Sequence, residues 1–363
     1  MLTRQGGAPI EVWGGIECTV NRVGDFYFDQ LKLSGHHTRS EDLDKIAELG
    51  IKRVRYPVLW ERVAPESLDS CDWGWTDDRL ARLRDLGIEP IVGLLHHGSG
   101  PRYCTLDDPR FPDLFAEFAG MVAQRYPWVR SYTPINEPLT TSRFCGLYGH
   151  WYPHQSSGQA WCSMLLNQCL GTSLAMRRIR QVRPDAELIQ TEDLGKVYST
   201  PRLAYQAWFE NERRWVSFDL LAGMVNQEHP LWGFLVEACG ADRALLERLG
   251  AEPCPPDMLG INYYVTSERF LDDRVHRYPA RLWGGNGTDV YVDIEAVRVR
   301  AAGIAGHAGM IREAWLRYGI PIAITEAHLS CTREEQMRWL VGAWRAAHSA
   351  KEQGIDCRAV TAW

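Results

Sequence analysis

The sequence lacks both a long apolar run and a concentrated basic region. No stretch approaches the roughly 18 uninterrupted apolar residues of a membrane-spanning helix, and the first residues, MLTRQGGAPIEVWGG, lack the apolar core of a signal peptide. The net charge is −6 with Lys and Arg scattered, so neither nucleic acid nor an anionic membrane is indicated as a partner. These absences predict a soluble cytoplasmic protein.

Cysteine and glycine motifs for cofactors are missing as well. None of the ten cysteines forms a C-x-x-C pair, and their spacing suits neither a zinc site nor a small disulfide scaffold. Most are predicted to be small apolar fillers in a reducing compartment. No G-x-G-x-x-G follows the first predicted strand, which weakens a dinucleotide-binding interpretation. The sequence therefore predicts neither a metal nor an organic cofactor.

A repeated junction between helix and strand organises the chain. Four times a helical pattern ends in glycine and an apolar run begins with isoleucine, in IAELGIKRVRY, LRDLGIEPIVGLL, WLRYGIPIAITE and AKEQGIDCRAV. A glycine at a helix C-terminus readily adopts the left-handed conformation that ends the helix. Gly50, Gly87, Gly319 and Gly354 are therefore interpreted as caps within αβ units and not as catalytic residues.

Eight strand candidates alternate with amphipathic segments. The candidates read as largely apolar runs, as is typical of strands covered on both faces: EVWGGI, KRVRYPVLW, EPIVGLL, VRSYTPIN, AELIQTE, DMLGINYY, PIAITE and CRAVTAW. Between them, segments such as SEDLDKIAELG, DLFAEFAGMVAQRY and EEQMRWLVGAWRAAHSAKEQG repeat apolar residues at helical spacing. Such units predict an α/β fold, a (β/α)8 TIM barrel, with a doubly wound open sheet as the alternative. The stretch from Thr266 to Arg300 is interpreted as one large loop over the barrel mouth.

The predicted domain organisation is a single barrel over residues 1–363. No linker or low-complexity segment divides the chain. The sequence stops at TAW, on the eighth strand, whereas a barrel normally continues into an eighth helix that covers this strand. We therefore expect a barrel truncated at its eighth strand, as a fragment of a longer polypeptide.

Polar side chains gather where the predicted strands end, which is where the chemistry of such barrels is found. Reading those ends in order gives Glu17, Asn21, Arg55, His96, His97, Asn136, Glu137, Glu192, Asn262, Tyr264, Glu326 and Trp363. Glu137 and Glu326 end the fourth and seventh strands, on opposite sides of a closed barrel mouth. Two facing carboxyl groups among amide, imidazole, phenol and indole side chains suit the cleavage of a glycosidic bond.

Several motifs, in chain order, resemble those of glycoside hydrolase family 1. TPINEP resembles that family's TxNEP, and AITEAH resembles its ITENG. VWGG, DLDKIAELGIKRVRYPVLWERVAP, EPIVGLLHH, DMLGINYY and TAW also resemble family segments. These matches span nearly the whole chain. The resemblance implies a TIM barrel and a β-glucosidase-like glycoside hydrolase that acts on a small-molecule glycoside.

The resemblance also implies roles for individual residues. Glu137 would be the acid/base and Glu326 the nucleophile of a retaining mechanism, in which the two carboxyl groups lie about 5–5.5 Å apart. Arg55 and Tyr264 would keep the nucleophile ionised and oriented. The sugar-binding residues would be Asn21, His96, Asn136, Asn262 and Trp363. A structural interpretation also stands for three of these: His96 as a buried histidine, Tyr264 as a core aromatic residue, and Arg55 as an ion-pair partner.

The chain departs from the family pattern at several positions. Asn21 replaces a glutamine that grips sugar hydroxyls, His97 replaces a tryptophan, and Ala327-His328 replace the asparagine and glycine after the nucleophile. These changes leave the catalytic pair intact and predict an altered sugar preference. The remaining carboxylates are predicted to be solvated or hydrogen-bonded bystanders: Glu17, Glu192 and Glu268.

Three functions remain as hypotheses. The first is a retaining β-glycosidase. The second is a non-catalytic or altered-specificity sugar-binding barrel within a larger protein of nucleotide-sugar metabolism. This barrel resembles those of bacterial chains in which it precedes a domain similar to dTDP-4-dehydrorhamnose reductases. The third is another barrel enzyme, such as an aldolase or isomerase, although Lys52 and Lys196 are not at strand ends where a Schiff base would form.

Overall fold

The computed structural model describes residues 9–363, and it contains the predicted barrel. Within this range the strands are β1 (Glu11–Gly15), β2 (Val20–Val23), β3 (Phe26–Asp29), β4 (Arg53–Pro57), β5 (Glu89–His96), β6 (Ser131–Asn136), β7 (Glu187–Asp193), β8 (Val197–Ser199), β9 (Met258–Asn262), β10 (Arg269–Asp272), β11 (Trp283–Gly285), β12 (Val290–Glu295), β13 (Ile322–Ala327) and β14 (Cys357–Ala362). The closed barrel has the order β1-β14-β13-β9-β7-β6-β5-β4. Each of the eight predicted strands is one of these barrel strands, so the (β/α)8 prediction is confirmed.

The helices fall mainly between successive barrel strands. They are α1 (Gln30–Leu33), α2 (Asp42–Glu48), α3 (Trp60–Val63), α4 (Gly74–Asp85), α5 (Phe111–Arg125), α6 (Pro138–Ser142), α7 (Gly158–Val182), α8 (Ala204–Arg213), α9 (Val216–Leu221), α10 (Arg243–Ala251), α11 (Ala296–Val299), α12 (Gly306–Tyr318) and α13 (Arg333–Glu352). Two π-helical turns span Arg143–Leu147 and Phe234–Ala238. Among residues 9–363, no helix is both long enough and apolar enough to cross a bilayer.

The four predicted glycine caps are confirmed by their backbone conformation. Gly50, Gly87, Gly319 and Gly354 have φ values of 76°, 66°, 63° and 86°, in the left-handed region. Residues with a Cβ atom seldom adopt this region, whereas glycine enters it without a steric cost. Each helix therefore ends at its glycine, and the strand that follows begins within a few residues.

Residue contacts divide the chain into two compact units. The larger unit comprises Val12–Glu192, Val216–Gly260 and Trp363. The described part of the smaller unit comprises 9–11, Asp193–Trp215 and Ile261–Ala362.

The larger unit has an aromatic core beneath parallel strands. Strands β4, β5 and β6 are paired in parallel, and all six residues of β6 are buried. Trp60, at the start of α3, is fully buried and packs against the rings of Phe111, Phe115 and Phe118 on α5. Buried aromatic side chains contribute large apolar areas to a core. This packing fixes the strands whose carboxyl ends carry the predicted site residues.

The smaller unit contains a second sheet where the sequence predicted a loop. The prediction that Thr266–Arg300 is one large loop is wrong, because this stretch contains β10, β11, β12 and α11. These strands form a four-stranded sheet in the order β11-β12-β10-β8. The turn between β11 and β12 is Asn286-Gly287-Thr288-Asp289, and Gly287 has φ 85°. An Asn-Gly pair between two short runs of strand-forming residues is a hairpin signal, and it marks this turn in the sequence.

Glu268 joins this sheet to the start of α12. It is fully buried and accepts four hydrogen bonds within the smaller unit. Its Oε1 accepts from the Tyr263 hydroxyl at 2.6 Å and from Gly306 N at 2.7 Å. Its Oε2 accepts from the Tyr198 hydroxyl at 2.7 Å and from Ala305 N at 3.0 Å. The prediction of a hydrogen-bonded structural carboxylate is confirmed for this residue.

Glu268→Gln should lower the free energy of unfolding by about 2–4 kcal/mol, because an amide cannot accept all four bonds and turns its own N–H groups towards donors. Urea denaturation at neutral pH measures this change. Glu334→Gln is the matched control, since Glu334 is exposed in the first turn of α13, and it should change stability by less than about 0.5 kcal/mol. An equally small effect for Glu268→Gln would contradict the structural role.

Candidate functional site

The predicted site residues of the larger unit lie near the carboxyl ends of its strands. Arg55 lies within β4, while His96 and Asn136 are the last residues of β5 and β6. Arg55, His96, Asn136 and Trp363 line one cavity of about 10 Å³, together with Cys18. The structure therefore brings four of the predicted residues together. Cys18, which the sequence interpretation treated as an apolar filler, is an addition to them.

Asn136 is the centre of a hydrogen-bond network in this unit. Its Oδ1 accepts from Arg55 Nη2 at 2.6 Å and from the Thr191 hydroxyl at 2.8 Å. Because a guanidinium only donates, the carbonyl oxygen of Asn136 must face Arg55, and the NH2 group must face the other way. That NH2 group lies 3.3 Å from His96 Nε2 and 3.4 Å from His97 Nε2. Arg55 thus determines the orientation of the amide.

The same network fixes the state of His96. Burial, and then the neighbouring His97 and Arg55, lower the pKa of His96 well below its usual value. His96 is therefore neutral, and its Nε2 accepts from the Asn136 amide while Nδ1 carries the proton. A neutral imidazole at this position can still hydrogen-bond a hydroxyl group.

Trp363 packs directly on this network. Its indole is stacked on the His96 ring, with ring centroids 5.3 Å apart and an angle of 8° between the planes. The Arg55 guanidinium lies 4.7 Å from the indole centroid, which is a cation–π distance. Trp363 Nε1 donates to Glu17 Oε2 at 3.2 Å. The prediction that Glu17 is solvated or hydrogen-bonded is therefore confirmed, and its partner is a predicted sugar-binding residue.

Glu137 occupies a strained turn immediately after β6. Its φ and ψ are 47° and 62°, in the left-handed region, and Pro138 then begins α6. An L-residue in this region costs roughly 1–2 kcal/mol, and such positions cluster at functional sites. Glu137 N donates to Thr191 O at 3.2 Å. The stretch TPINEP therefore contains the end of β6 at Asn136, the left-handed turn at Glu137 and the proline that begins α6.

His97 adopts a similar backbone and approaches the Glu137 side chain. Its φ is 54°, and its Nε2 lies 3.8 Å from Glu137 Oε2. Its Nδ1 lies 3.0 Å from the Thr141 hydroxyl on α6. An imidazole at this distance can form an ion pair with the carboxylate when it is protonated. Two left-handed, non-glycine residues thus place a carboxyl group and an imidazole side by side.

The smaller unit holds the other predicted carboxylate. Glu326, in β13, is buried, and the Tyr264 hydroxyl donates to its Oε2. Tyr263 N also donates to Glu326 O at 3.3 Å. Asn262, at the end of β9, is fully buried, and its Oδ1 accepts from the Thr325 hydroxyl at 2.7 Å. The predicted pairing of Tyr264 with Glu326 is present in this unit, and a phenol that donates to a carboxylate orients it.

Comparison with known families decides where the chain belongs. A family model described as Glycosyl hydrolase family 1 matches residues 10–207, which is more than half of the 363-residue chain. The chain belongs to glycosyl hydrolase family 1. Its relatives are distant. A bifunctional β-D-glucosidase/β-D-fucosidase of Bifidobacterium breve is 24% identical over an alignment 391 positions long, gaps included, which covers 90% of this chain and 78% of that protein.

Other relatives match over shorter lengths, and a solved structure matches over most of the chain. β-Glucosidase 4 of rice, Oryza sativa subsp. japonica, is 24% identical over 165 residues, 43% of this chain. The chain spans about a third of the length of the rice relatives, 34% of β-glucosidase 4 and 32% of β-glucosidase 6. A β-glucosidase from Thermotoga maritima, solved with cyclophellitol, has a TM-score of 0.75 at 17% identity and covers 90% of this chain and 77% of its own. This structural likeness concerns the fold.

Asn21 does not line the cavity that Arg55, His96, Asn136 and Trp363 share. It is half-buried in the β2–β3 hairpin, where it pairs with Phe28. The sequence interpretation placed it just after a barrel strand, but β1 ends earlier, at Gly15, and a separate hairpin follows. Across residues 9–363, no group of three or more His, Cys, Asp and Glu side chains is arranged to hold a metal ion.

Glu192 is a buried carboxyl group close in sequence to the end of β7. It was predicted to be a solvated or hydrogen-bonded bystander, and it is hydrogen-bonded: it is fully buried in β7, and its Oε1 accepts from Leu139 N at 2.7 Å. Burial, and then the charge of Glu137, raise the pKa of Glu192 to about 8. A second carboxyl group therefore lies within the electrostatic reach of Glu137. Strands β6 and β7 are neighbours in the barrel, and no short motif signals the influence of one carboxyl group on the other.

Proposed function

We propose that this family 1 chain is a retaining β-glycosidase that cleaves its substrate by double displacement. The observation that supports this most is the contrast between two buried carboxyl groups. Glu326 accepts a hydrogen bond from the Tyr264 hydroxyl, as an oriented nucleophile would. Glu137 sits in a strained turn among a histidine and another carboxyl group, as a proton-exchanging residue would.

In the first step of the proposed mechanism, a Glu326 oxygen attacks the anomeric carbon. The bond to the leaving oxygen breaks, and that oxygen takes the proton of Glu137. The product is a glycosyl ester of Glu326. In the second step, Glu137 removes a proton from water, the water oxygen attacks the anomeric carbon, and the bond to Glu326 breaks. Two inversions at one carbon retain the β configuration.

The remaining residues serve binding and orientation in this proposal. Tyr264 and Arg55 orient the Glu326 carboxylate and favour its ionised form. The hydrogen-bonding side chains of the sugar subsite are His96, Asn136 and Asn262, and Asn21 is left out because it lies in the β2–β3 hairpin. Trp363 supplies an aromatic face on which the apolar side of a sugar ring packs.

A panel of aryl β-glycosides tests this function. We expect hydrolysis of at least one member, with the β-anomer as the first-formed sugar in a proton NMR time course. The panel includes glucoside, galactoside, fucoside and 6-phosphoglucoside, because relatives are named β-glucosidase, β-D-glucosidase/β-D-fucosidase and 6-phospho-β-glucosidase. His97, which replaces a tryptophan of the family pattern, should alter the sugar preference, since a lost buried contact costs about 1–3 kcal/mol.

Two outcomes would contradict parts of this proposal. Glucoside and galactoside as equally efficient best substrates would contradict the altered preference. Sugar binding without turnover of any panel member would instead support the second candidate, a non-catalytic sugar-binding barrel. Isothermal titration with methyl β-glycosides distinguishes these cases.

A further inference from the structure

The imidazole of His97 lies between α6 and the side chain of Glu137. Its Nδ1 is 3.0 Å from the Thr141 hydroxyl, and its Nε2 is 3.8 Å from Glu137 Oε2. Thr141 N also donates to Glu137 O at 2.9 Å, so the residue that contacts the imidazole is itself bonded to the backbone of Glu137. His97 reaches this position through a left-handed backbone with φ 54°. Such strained residues persist where the surrounding structure fixes them, and they cluster at functional sites.

The neighbours of the two ring nitrogens determine where His97 takes up a proton. The NH2 group of Asn136, which only donates, lies 3.4 Å from Nε2. In the neutral ring Nε2 is therefore the acceptor, and Nδ1 carries the hydrogen that faces the Thr141 hydroxyl. A second proton can bind only at Nε2, which is the nitrogen that faces Glu137. Protonation thus replaces a long contact with the amide by an ion pair with the carboxylate.

Other charged and titratable groups of this region come from four elements of the larger unit: Arg55 of β4, His96 of β5, Glu192 of β7 and Arg143 of the π-helical turn after α6. Burial, and then His97 and Arg55, lower the pKa of His96 well below its usual value, so His96 stays neutral. Burial, and then the charge of Glu137, raise the pKa of Glu192 to about 8, so Glu192 is protonated at neutral pH. His97 is less buried than His96, and imidazoles change charge between about pH 5 and 8. It is therefore a neighbour of Glu137 whose charge changes near neutral pH.

We propose that His97 is a positioning residue that, when protonated, pairs with the Glu137 carboxylate and keeps it ionised for the second step of the reaction down to lower pH. This inference rests on the proposed function, in which Glu137 removes a proton from water in that step. A cation beside a carboxyl group favours the ionised form. While His97 carries its second proton, Glu137 therefore takes up a proton only at lower pH. The same cation disfavours the acid form that the first step needs, so His97 shifts Glu137 towards its role as a base.

The pH dependence of kcat for a 2,4-dinitrophenyl β-glycoside tests this effect. The dinitrophenolate leaves without protonation, so hydrolysis of the glycosyl ester should limit kcat, and the fall of kcat towards acid pH then reports protonation of Glu137. In His97→Asn this acid limb should move to higher pH by about one unit, as expected when the attraction between two unit charges about 4 Å apart is removed. Asparagine suits the exchange because it tolerates a positive φ, and its NH2 group can donate to the Thr141 hydroxyl as Nδ1 does.

A phenyl β-glycoside tests the opposite effect on the first step. Its kcat/KM requires the acid form of Glu137, so the pH at which kcat/KM begins to fall on the alkaline side should also rise in His97→Asn. A merely structural role would lower the rates at every pH and leave both limbs in place, and that result would overturn the proposal. His150→Asn is the matched control, since His150 is an exposed histidine of the same unit. It should move neither limb, and equal shifts in both variants would contradict a specific pairing of His97 with Glu137.

Proton–carbon NMR of the histidine Cε1–H groups tests the ion pair without turnover. The resonance that is absent from His97→Asn belongs to His97. In Glu137→Gln its titration midpoint should move to lower pH by a similar amount, because the coupling between two titrating groups acts equally on both. Glu117→Gln, which changes an exposed glutamate on α5, should leave the midpoint in place.

These results separate failure of the inference from failure of the proposed function. A chain that hydrolyses no glycoside, but in which Glu137→Gln lowers the His97 midpoint, supports the ion pair and contradicts the proposed function. A His97 midpoint that ignores Glu137→Gln overturns the ion pair, even if the enzyme is active.

Discussion

Glu326→Ala should reduce kcat/KM for every glycoside by about 10⁴-fold or more, because no other group can form the glycosyl ester on which both steps depend. The loss should be as large for an activated 2,4-dinitrophenyl glycoside as for a phenyl glycoside, since leaving-group quality cannot replace a missing nucleophile. Steady-state release of the phenol measures both. Added azide should restore some turnover and give the α-glycosyl azide, because one direct displacement inverts the anomeric carbon.

Tyr264, which donates a hydrogen bond to the proposed nucleophile, provides a control with a smaller expected loss of activity. Tyr264→Phe removes only the hydroxyl that donates to Glu326, so it should cost about 10–100-fold and leave the β configuration of the product unchanged. A Glu326→Ala protein that hydrolyses its substrate at the wild-type rate would end the glycosidase hypothesis.

Glu137→Ala should discriminate strongly between leaving groups. Phenyl glycosides need a proton on the departing oxygen, so their kcat/KM should fall by about 10²–10⁴-fold. The 2,4-dinitrophenolate leaves without protonation, so kcat/KM for its glycoside should change little, although the ester then accumulates for lack of a base. Azide should accelerate turnover by attacking that ester and should give the β-glycosyl azide, because two inversions have then occurred.

The two variants should give opposite anomers of the glycosyl azide, α from Glu326→Ala and β from Glu137→Ala. The nucleophile and the acid/base can therefore be assigned independently of each other. Glu117→Ala is the matched surface control, since Glu117 is an exposed glutamate on α5 in the same unit as Glu137, and it should retain full activity. An α-glycosyl azide from Glu137→Ala, or equal losses for both aryl glycosides, would mean that the roles of Glu137 and Glu326 are assigned wrongly.

The barrel could be predicted because its signals are local in sequence. A glycine cap followed by an apolar strand needs only neighbouring residues, and the left-handed φ values of Gly50 and Gly354 follow from the same local physics. The second sheet was missed because its strands are short and partly exposed. β11 and β12 depend on pairing across the Asn286-Gly287 turn and not on an apolar run.

The residues of the candidate site also divide into those that the sequence could identify and those that it could not. Glu137 and Glu326 could be identified because each ends a strand within a short motif. Cys18 and Glu192 could not, because their significance comes from side chains on other strands: Cys18 shares a cavity with Arg55, and Glu192 responds to the charge of Glu137. From residue type alone, Cys18 would be an apolar filler and Glu192 a bystander. Burial and neighbouring charge change the chemistry of a side chain without changing the sequence around it.

The left-handed backbones of His97 and Glu137 have a consequence for evolution in the laboratory. Glycine at either position would remove a steric cost of roughly 1–2 kcal/mol, but it would lose about 0.4–1 kcal/mol through the greater freedom of the unfolded chain, together with side-chain contacts such as that of His97 Nδ1 with the Thr141 hydroxyl. A library selected for heat tolerance alone would enrich glycine wherever the relieved strain exceeds these losses, and it would then discard the carboxylate or the imidazole. Selection for thermal stability and selection for catalytic activity would then favour different residues at these two positions. Stabilised variants therefore have to be screened for activity at every round.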